Sequence, residues 1–424
     1  MKVFKFGGAS VKDANSIKNV AKILSLYPGE KLAIVISAMG KSTNAFETIV
    51  QNLYDRNKTA FIECIEERRN FHLEIMDGLF TDKDDQLFSQ INSIFDKLIL
   101  KFDLPLDTFG HEYDQIVSLG EVLSTKIVNA FLVQNSFSSN WQDARKLIRT
   151  NAKFQEAEVD WDTTGKLFEK DFISKFENFD IQVSQGFIGH TELGHTTTLG
   201  REGSDFTAGI IAYCCDAESV TIWKDVPGML NADPKWFSNT IKLDRISFRE
   251  AIELSYYGAS VIHPKTIKPL QNKNIPLFVR SFLNPLEDGT VIQSSTSQDH
   301  LVPSFIFKRN QVLFSFTPKD FSFINEKNLS DIFNRLSRVN AKINVMQNSA
   351  LNFSILVDDD KIDTNALVTS FGDAYEVKFN EHLELITIRH YNQATIDRLT
   401  ENKLILLEQK TRETARLVVK NKTD

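Results

Sequence analysis

The sequence has only three cysteines in 424 residues, and none of them suits a disulfide framework. Cys214 and Cys215 are adjacent, with Cα atoms about 3.8 Å apart, which is closer than the usual disulfide spacing. Both fall in the apolar run 209–217, where a free cysteine usually packs as a small core residue. Together with Cys64 they favour a reducing compartment, so we expect no cysteine chemistry and a cytoplasmic location.

The sequence also has no excess of positive charge and no long apolar run. No segment reaches the roughly 20 apolar residues that a membrane span needs, and the amino terminus has no signal-peptide core. The formal net charge is −7. Because an acidic protein is repelled by nucleic acid and by anionic membranes, we expect neither as a partner. A chain of this length with 42% hydrophobic residues can form two or three globular domains.

A third absence concerns nucleotide binding. The run Gly40-Lys41-Ser42 resembles the end of a P-loop, but the position that should hold the first glycine of that motif is Val35. A P-loop is therefore excluded. Ser37 and Thr43 remain as polar groups at the end of a predicted strand, where open α/β sheets bind ligands.

Two glycine loops beside charged residues are the most informative segments present. Lys5-Phe-Gly-Gly-Ala-Ser10 lies between a predicted strand and a predicted helix, and Thr198-Leu-Gly-Arg-Glu-Gly-Ser-Asp205 precedes another predicted helix. Glycine lets backbone N–H groups approach a phosphate closely, and helix amino termini and lysine add positive potential. Two such loops predict a site for two anionic substrates.

The order of elements predicts the fold class. Strands alternate with helices over the first three hundred residues, which predicts an α/β domain with a largely parallel sheet covered on both faces. A helical stretch at 59–102 interrupts this order as an insertion. A cluster of turn residues at 284–303 marks a boundary. Beyond it, strand, helix and two strands occur twice, which predicts two small βαββ-type modules for binding or interaction.

Three positions near the glycine loops admit a structural interpretation as well as a functional one. Glu121, in Ser118-Leu-Gly-Glu121, either closes a capping box or accepts a substrate ammonium group. Asp205 either caps the following helix or helps to order a lysine, Mg²⁺ and a transferring phosphoryl group. Asn44, with Glu47, is interpreted as a helix cap.

Taken in order, these segments resemble an aspartate kinase of the amino acid kinase family. The matching segments cover most of residues 1–300 and are 5–11, 37–44, 118–121, 141–151, 184–189, 196–205, 223–228, 233–234, 258–259 and 263–264. The resemblance implies a three-layer αβα sandwich at 1–297, with an aspartate-binding lobe (1–185, insertion 45–115) and an ATP-binding lobe (186–297). The tail, 298–424, resembles the paired ferredoxin-like ACT modules of the family and is expected to be regulatory.

The resemblance implies ATP- and Mg²⁺-dependent phosphorylation of the β-carboxylate of L-aspartate, the first step towards lysine, threonine and methionine. Lys5 and Asp205 would be catalytic, and a metal would be held mostly by ATP phosphates, with Asp205 as a further ligand. The residues implied for aspartate are Ser37, Thr43, Glu121, Arg201 and Ser204. Those implied for ATP are Lys5, Gly7, Gly8, Ser10, Trp223, Lys224, Asp225, Asp233 and Lys235. We also expect a homodimer or higher homo-oligomer and an amino-acid effector at the ACT modules.

Several positions depart from the family pattern. Glu202 replaces a glycine, and Ser260 replaces a lysine that would contact nucleotide phosphate, for which Lys224 or Lys265 could substitute. The effector segment, 343–350, lacks its usual acidic and Thr-Ser-Glu residues, so we expect weak or lost lysine feedback. The alternatives are a kinase of the same fold acting on glutamate, N-acetylglutamate, carbamate or a nucleotide, and an inactive amino-acid sensor. His263 is expected to be structural.

Overall fold

The computed structural model describes residues 1–81, 85–237, 239–259 and 262–422, which fall into two compact units. Unit 1 comprises 1–229, 242–256 and 260–299, and unit 2 comprises 230–241, 257–259 and 300–424. Two short segments of unit 2 therefore come from within the predicted catalytic domain. The two lobes predicted inside that domain stay a prediction.

Unit 1 is built on an eight-stranded sheet in the order β3-β4-β2-β1-β7-β9-β10-β8. The pairs from β3 through β9 are parallel, and β10 runs antiparallel to β9. Strands β2 and β4 are buried along their whole length, as expected for central parallel strands covered on both faces. The predicted α/β class is confirmed. The strands, including the separate hairpin β5–β6, are β1 (Lys2–Phe6), β2 (Leu32–Ile36), β3 (Ser139–Gln142), β4 (Ile181–Gln185), β5 (Ile188–His190), β6 (Thr196–Thr198), β7 (Ser219–Lys224), β8 (Arg245–Ser247), β9 (Leu277–Ser281) and β10 (Thr290–Gln293).

The helices of unit 1 include the predicted insertion. Its helices α3 and α4 bury Phe61, Ile65, Ile91 and Phe95 completely, in the same core as β1 and β2. The insertion is thus part of the main core. The helices are α1 (Ala14–Leu24), α2 (Ser42–Tyr54), α3 (Lys58–Leu79), α4 (Asp85–Leu100), α5 (Phe109–Val117), α6 (Leu119–Gln134), α7 (Trp161–Leu167), α8 (Gly203–Cys214), α9 (Phe248–Tyr257) and α10 (Pro264–Lys273).

Three sequence expectations differ from the structure of unit 1. The single helix expected at 113–134 is broken at Ser118 into α5 and α6. The strand expected at 141–149 ends at Gln142, where Asp143 caps a 3₁₀ turn through its side chain. Helices α7 and α10 were not predicted, because α7 has only seven residues and α10 contains Pro264 and Pro269. The stretch Phe109–Gln134 could span a membrane by length and composition, but 72% of its most apolar window is buried in the protein.

Unit 2 is a six-stranded antiparallel sheet in the order β12-β13-β11-β14-β16-β15. Both predicted βαββ modules are present. They share one sheet because β11 and β14, of 15 residues each, pair along most of their length. The sequence predicted only part of each strand, since polar residues interrupt the apolar pattern. The elements are β11 (Ser304–Pro318), α11 (Glu326–Arg338), β12 (Ile343–Asn348), β13 (Phe353–Asp358), α12 (Thr364–Phe371), β14 (Tyr375–Arg389), α13 (Gln393–Leu399), β15 (Lys403–Lys410) and β16 (Thr414–Asn421).

Candidate active site

A cavity of about 550 Å³ lies in unit 1 at the carboxyl ends of its central strands. Ser37 follows β2, Lys5 is the next-to-last residue of β1, and Lys224 ends β7. These three strands are neighbours in the sheet. Open α/β sheets bind their ligands at this edge, so the sheet itself brings three of the predicted residues to one place.

The cavity collects every residue that the sequence assigned to catalysis or to aspartate. Thr43 lies in the first turn of α2, and Ser204 lies in the first turn of α8. Of the residues assigned to ATP, only Lys5 and Lys224 line the cavity. The predicted residues in its lining are Lys5, Ser37, Thr43, Glu121, Arg201, Ser204, Asp205 and Lys224.

Asp205 is held between two lysines on the cavity wall. The distance from Lys5 Nζ to Asp205 Oδ1 is 2.6 Å, and that from Lys224 Nζ to Asp205 Oδ2 is 3.7 Å. The carboxylate is 4% exposed. Burial acts to raise the pKa of Asp205, but the charges of Lys5 and Lys224 outweigh it and keep the pKa below its usual value. Because α8 begins at Gly203, Asp205 lies inside the helix, and its interpretation as a cap is wrong.

The carboxyl group of Glu121 differs from that of Asp205, because its pKa is raised rather than lowered. Its Oε1 accepts the backbone N–H of Ala38 at 3.4 Å, and its Oε2 is buried without a hydrogen-bond partner. Burial raises the pKa of Glu121 to about 8, although this hydrogen bond and the charge of Lys5 act to lower it. The alternative that Glu121 closes a capping box is wrong, because Ser118 makes no side-chain cap.

The expected cap at Asn44 is also wrong. Helix α2 begins at Ser42, so Asn44 lies inside its first turn. The Ser42 hydroxyl donates to the carbonyl of Met39 at 2.6 Å and fixes the turn before the helix. Thr43 is then oriented into the cavity by the first turn of the helix.

Glycines let three loops meet around the cavity. A Cβ at Gly8 would lie 2.7 Å from the carbonyl oxygens of both Ala38 and Gly40. A Cβ at Gly186 would lie 2.5 Å from the Cβ atom of Ser204. These distances are far shorter than van der Waals contact. Gly8 therefore packs the amino-terminal loop against the loop after β2, and Gly186 lets α8 approach the end of β4.

The second glycine loop, at 198–205, carries one non-glycine residue in the left-handed region. Glu202 has φ of 54° at the position just before α8. Such a conformation costs an ordinary residue about 1–2 kcal/mol relative to glycine, which explains why a glycine is expected there. The Glu202 side chain lines the cavity beside Arg201, so its negative charge faces the site.

Sequence reasoning missed five residues of the lining. Glu47 lies one helical turn after Thr43 on the same face of α2, and this spacing could have indicated it. The hydroxyl of Tyr113 donates to Glu47 Oε1 at 2.6 Å, and no sequence signal pointed to this tyrosine. The other missed residues are Gln155, Glu156 and Phe187.

Asp114 holds the loop that carries Gln155 and Glu156. Its carboxylate accepts the Thr198 hydroxyl at 2.6 Å, the Thr198 N–H at 2.9 Å and the Gln155 N–H at 3.0 Å. Burial raises the pKa of Asp114 to about 6 despite these hydrogen bonds. One carboxylate thus ties α5 to β6 and to the wall of the cavity.

Several residues predicted to bind nucleotide lie elsewhere. Trp223 is 1% exposed and packs against Phe4 and Phe6 in the core. Successive strand residues point to opposite faces, so Trp223 points away from the cavity that Lys224 lines. The remaining ones that do not line the cavity are Gly7 and Gly8, which open a 3₁₀ turn, the buried Ser10, and the exposed Asp225.

Four further positions complete the comparison with the sequence. Asp233 and Lys235 belong to unit 2, where Asp233 accepts the N–H of Lys235 at 2.9 Å in the predicted turn. Ser260 lies outside the described residues. His263 caps α10 by accepting the N–H of Lys265 at 3.1 Å, so the prediction of a structural role is confirmed.

The cavity lining bears on the Mg²⁺ ion that the resemblance implies. Mg²⁺ prefers oxygen ligands and usually reaches a kinase site together with substrate phosphates. Within 1–81, 85–237, 239–259 and 262–422, no group of three or more acidic, histidine or cysteine residues could hold a metal ion. The described lining therefore fits a metal carried mostly by phosphate, for which Asp205 would be the carboxylate beside Lys5 and Lys224.

Comparison with known proteins places this geometry in context. A model of the amino acid kinase family matches residues 1–281. The lysine-sensitive aspartokinase 3 of Escherichia coli K12 is 30% identical over 395 residues, which cover 91% of this chain and 86% of that protein. The crystal structure of E. coli aspartokinase III with lysine and aspartate has a TM-score of 0.84 at 26% identity and covers 100% of this chain and 96% of that one. The same enzyme with aspartate and ADP has a TM-score of 0.78, at 26% identity over 100% and 97% of the two chains.

Proposed function

The chain belongs to the amino acid kinase family, and from this membership and the cavity described above we propose that it is an aspartate kinase. It transfers the γ-phosphoryl group of ATP to the β-carboxylate of L-aspartate and forms 4-phospho-L-aspartate, the first step of lysine, threonine and methionine biosynthesis. Similarity to an aspartokinase over 91% of the chain favours this activity over the other kinases of the fold.

One observation carries the proposal for the site. Lys5 and Asp205 are 200 residues apart in the sequence, yet their side chains meet at 2.6 Å in a cavity that also contains Glu121 and Arg201. One water-accessible cavity thus holds the Lys5 ammonium group, the Asp205 carboxylate and the Arg201 guanidinium. This combination suits two anionic substrates. The same side chains, far apart in space, would not support a kinase.

Aspartate is held by the two charged groups on its α-carbon. The guanidinium of Arg201 pairs with the α-carboxylate, and Glu121 accepts the ammonium group through its unpartnered Oε2. Thr43, Ser37 and Ser204 surround the remaining polar atoms from the loop after β2 and the first turn of α8. The β-carboxylate then points towards Lys5.

Phosphoryl transfer needs alignment and charge neutralisation. The β-carboxylate has a reference pKa near 3.9, so it is already ionised at neutral pH and no general base is required. Lys5 and Lys224 place two ammonium groups beside the transferring phosphoryl group, and Asp205 fixes both of them. Asp205 would lie beside a Mg²⁺ ion carried by the ATP phosphates, and such an ion would supply further charge neutralisation. Lys224 also supplies the positive charge that the family's lysine at position 260 would provide, since this chain has Ser260 there.

A coupled assay tests the activity directly. Aspartate, ATP and Mg²⁺ should give stoichiometric ADP, and hydroxylamine should trap the acyl phosphate as aspartyl hydroxamate. Glutamate, N-acetylglutamate and carbamate, offered under identical conditions, should give no more than background. Absence of hydroxamate from a folded protein that still binds aspartate would make the chain an amino-acid sensor instead.

Feedback by lysine is proposed to be weak. In unit 2, the amide of Asn344 donates to Gln311 Oε1 and Asp358 Oδ1, both at 2.8 Å, and Lys308 Nζ donates to Asn344 Oδ1 at 2.8 Å. Asn344 lies in the effector segment and is thus already engaged within the unit. Lysine and threonine titrations should give little inhibition, and strong inhibition at submillimolar lysine would contradict this proposal.

We also propose a homodimer or higher homo-oligomer in the cytoplasm. The edge strands β12 and β15 of unit 2 expose Met346 at 55% and Leu404 at 52%. Exposed apolar residues on a sheet edge favour pairing with a second chain. All three cysteines are free, as expected in a reducing compartment. Light scattering should report a mass of at least two chains, and a monomer would contradict the proposal.

A further inference from the structure

A second cavity, of about 430 Å³, lies in unit 1 among α7, α8 and α10. Its apolar lining consists of Trp161, Phe206, Tyr213 and Pro269. The ring centroid of Trp161 lies 5.0 Å from that of Tyr213 and 6.2 Å from that of Phe206, both edge to face. All three rings are half-buried. The cavity therefore has a preformed aromatic wall that remains accessible to solvent.

Two cations and an amide border this aromatic wall. Lys265, Lys268 and Asn272 line the same cavity from α10, and their spacing of three and four residues places them on one helix face. All three are exposed. In the described part of the chain neither lysine pairs with a carboxylate, although the protein has 56 acidic residues and a net charge of −7. Two uncompensated ammonium groups thus stand beside an aromatic surface.

We propose that this cavity binds a planar aromatic anion, namely a single-ring or fused-ring carboxylate or phosphate ester. The ring packs against Trp161 and Tyr213, which supplies apolar contact and edge-to-face stacking. The anionic group lies between Lys265 and Lys268, and the amide of Asn272 completes the polar side. Exposed ion pairs are weak by themselves, so neither an inorganic anion nor a neutral ring satisfies the whole cavity.

The cavity adjoins the helix that carries Asp205. Phe206 follows Asp205 directly in α8, and a Cβ at Gly209 would lie 3.1 Å from the carbonyl oxygen of Thr266 in α10. The backbones of α8 and α10 are therefore in close contact. A ligand that touches both helices stabilises their packing, and this binding does not depend on the proposed kinase activity.

The test uses 1-naphthyl phosphate as the probe and the full-length protein. Calorimetry is done with saturating ADP, Mg²⁺ and L-aspartate, so that the catalytic cavity is blocked. We expect saturable binding with a Kd below about 1 mM, and binding of inorganic phosphate or 1-naphthol that is weaker by about tenfold or more.

Two variants with equal charge change locate the binding. Lys265→Gln with Lys268→Gln should weaken the probe about tenfold, whereas Lys166→Gln with Lys170→Gln, on exposed positions outside the cavity, should leave the Kd unchanged. Trp161→Phe should retain binding but lose the quenching of tryptophan fluorescence. The proposal is overturned by absence of saturable binding up to 10 mM, by equal effects of the two double variants, by quenching that persists in Trp161→Phe, or by competition with ADP.

Discussion

The two ends of the catalytic cavity differ in how their charges are held before a substrate arrives. At the proposed phosphate end, Lys5 and Lys224 are already paired with Asp205, and the pKa of Asp205 is lowered. At the proposed aspartate end, Glu121 is buried with an unpartnered oxygen, and its pKa is raised to about 8. One end is an assembled ion cluster, whereas the carboxyl group at the other end is mostly neutral at pH 7 before a cationic ligand binds.

The strongest test of this contrast removes the ion cluster. Lys5→Ala and Asp205→Asn should each lower kcat by about 10³-fold or more, because charge stabilisation of the transferring phosphoryl group is lost. Steady-state ADP release measures this. Lys2→Ala is the control, since Lys2 lies on the same strand but pairs with Glu30 at 2.5 Å. A loss below tenfold in both variants would remove the cluster from catalysis.

The aspartate end should respond in KM. Glu121→Gln should raise the KM for aspartate about 100-fold, because a charged hydrogen bond contributes about 1.5–3 kcal/mol, and should leave the KM for ATP within about twofold. Glu156→Gln removes the same charge from an exposed residue of the lining and serves as the matched control. Equal changes in both Michaelis constants would contradict the division of the cavity into two ends.

Glu121→Gln should also stabilise the fold. The folded-state pKa of about 8 lies above the unfolded value of 4.5, so ionisation favours the unfolded chain as pH rises from 4.5 to 8. At pH 8 the variant should gain on the order of 4 kcal/mol in unfolding free energy, and at pH 4 almost nothing. Urea unfolding at both pH values measures this. A gain that is independent of pH would exclude titration as its cause.

Aspartate affinity should depend on pH in the opposite sense. Because its pKa is about 8, Glu121 is mostly neutral at lower pH. It must then lose its proton to pair with the substrate ammonium group. The affinity for aspartate should therefore rise about 20-fold between pH 6.5 and 8.5, with release of a proton that calorimetry in two buffers detects. In Glu121→Gln the profile should be flat over this range. A rise that persists in the variant would assign the proton to another group.

The cavity lining includes all residues implied for aspartate but only two of those implied for ATP, and the reasons are physical. Glycines and charges at strand ends are fixed by the sheet, so Lys5, Ser37 and Lys224 could be placed from their positions alone. The two interpretations of Glu121 were separated by the absence of a side-chain cap at Ser118 and by the contact of Glu121 with Ala38, which lies 83 residues away. The resemblance implied Trp223 for ATP, whereas its ring is buried in the core, and strand alternation with Lys224 could have indicated this burial.

Other residues could not be predicted at all. Tyr113 reaches the cavity because α5 packs against α2, and its bond to Glu47 has no signature in the sequence. The segment around Asp233 and Lys235, which the resemblance implies for ATP, belongs to a different unit from the cavity, and no local pattern indicated this. Local patterns thus define elements and their ends, whereas contacts between distant elements decide which faces meet.

The long pairing of β11 with β14 has a mechanical consequence for unit 2. Both backbones continue from one module into the other, and the register from Ser304 with Arg389 to Pro318 with Tyr375 is interrupted only by a bulge near Gln311. Unfolding or twisting of either module would therefore break hydrogen bonds between β11 and β14 that also stabilise the other module. The pair should behave as one stiff plate and unfold in a single cooperative transition.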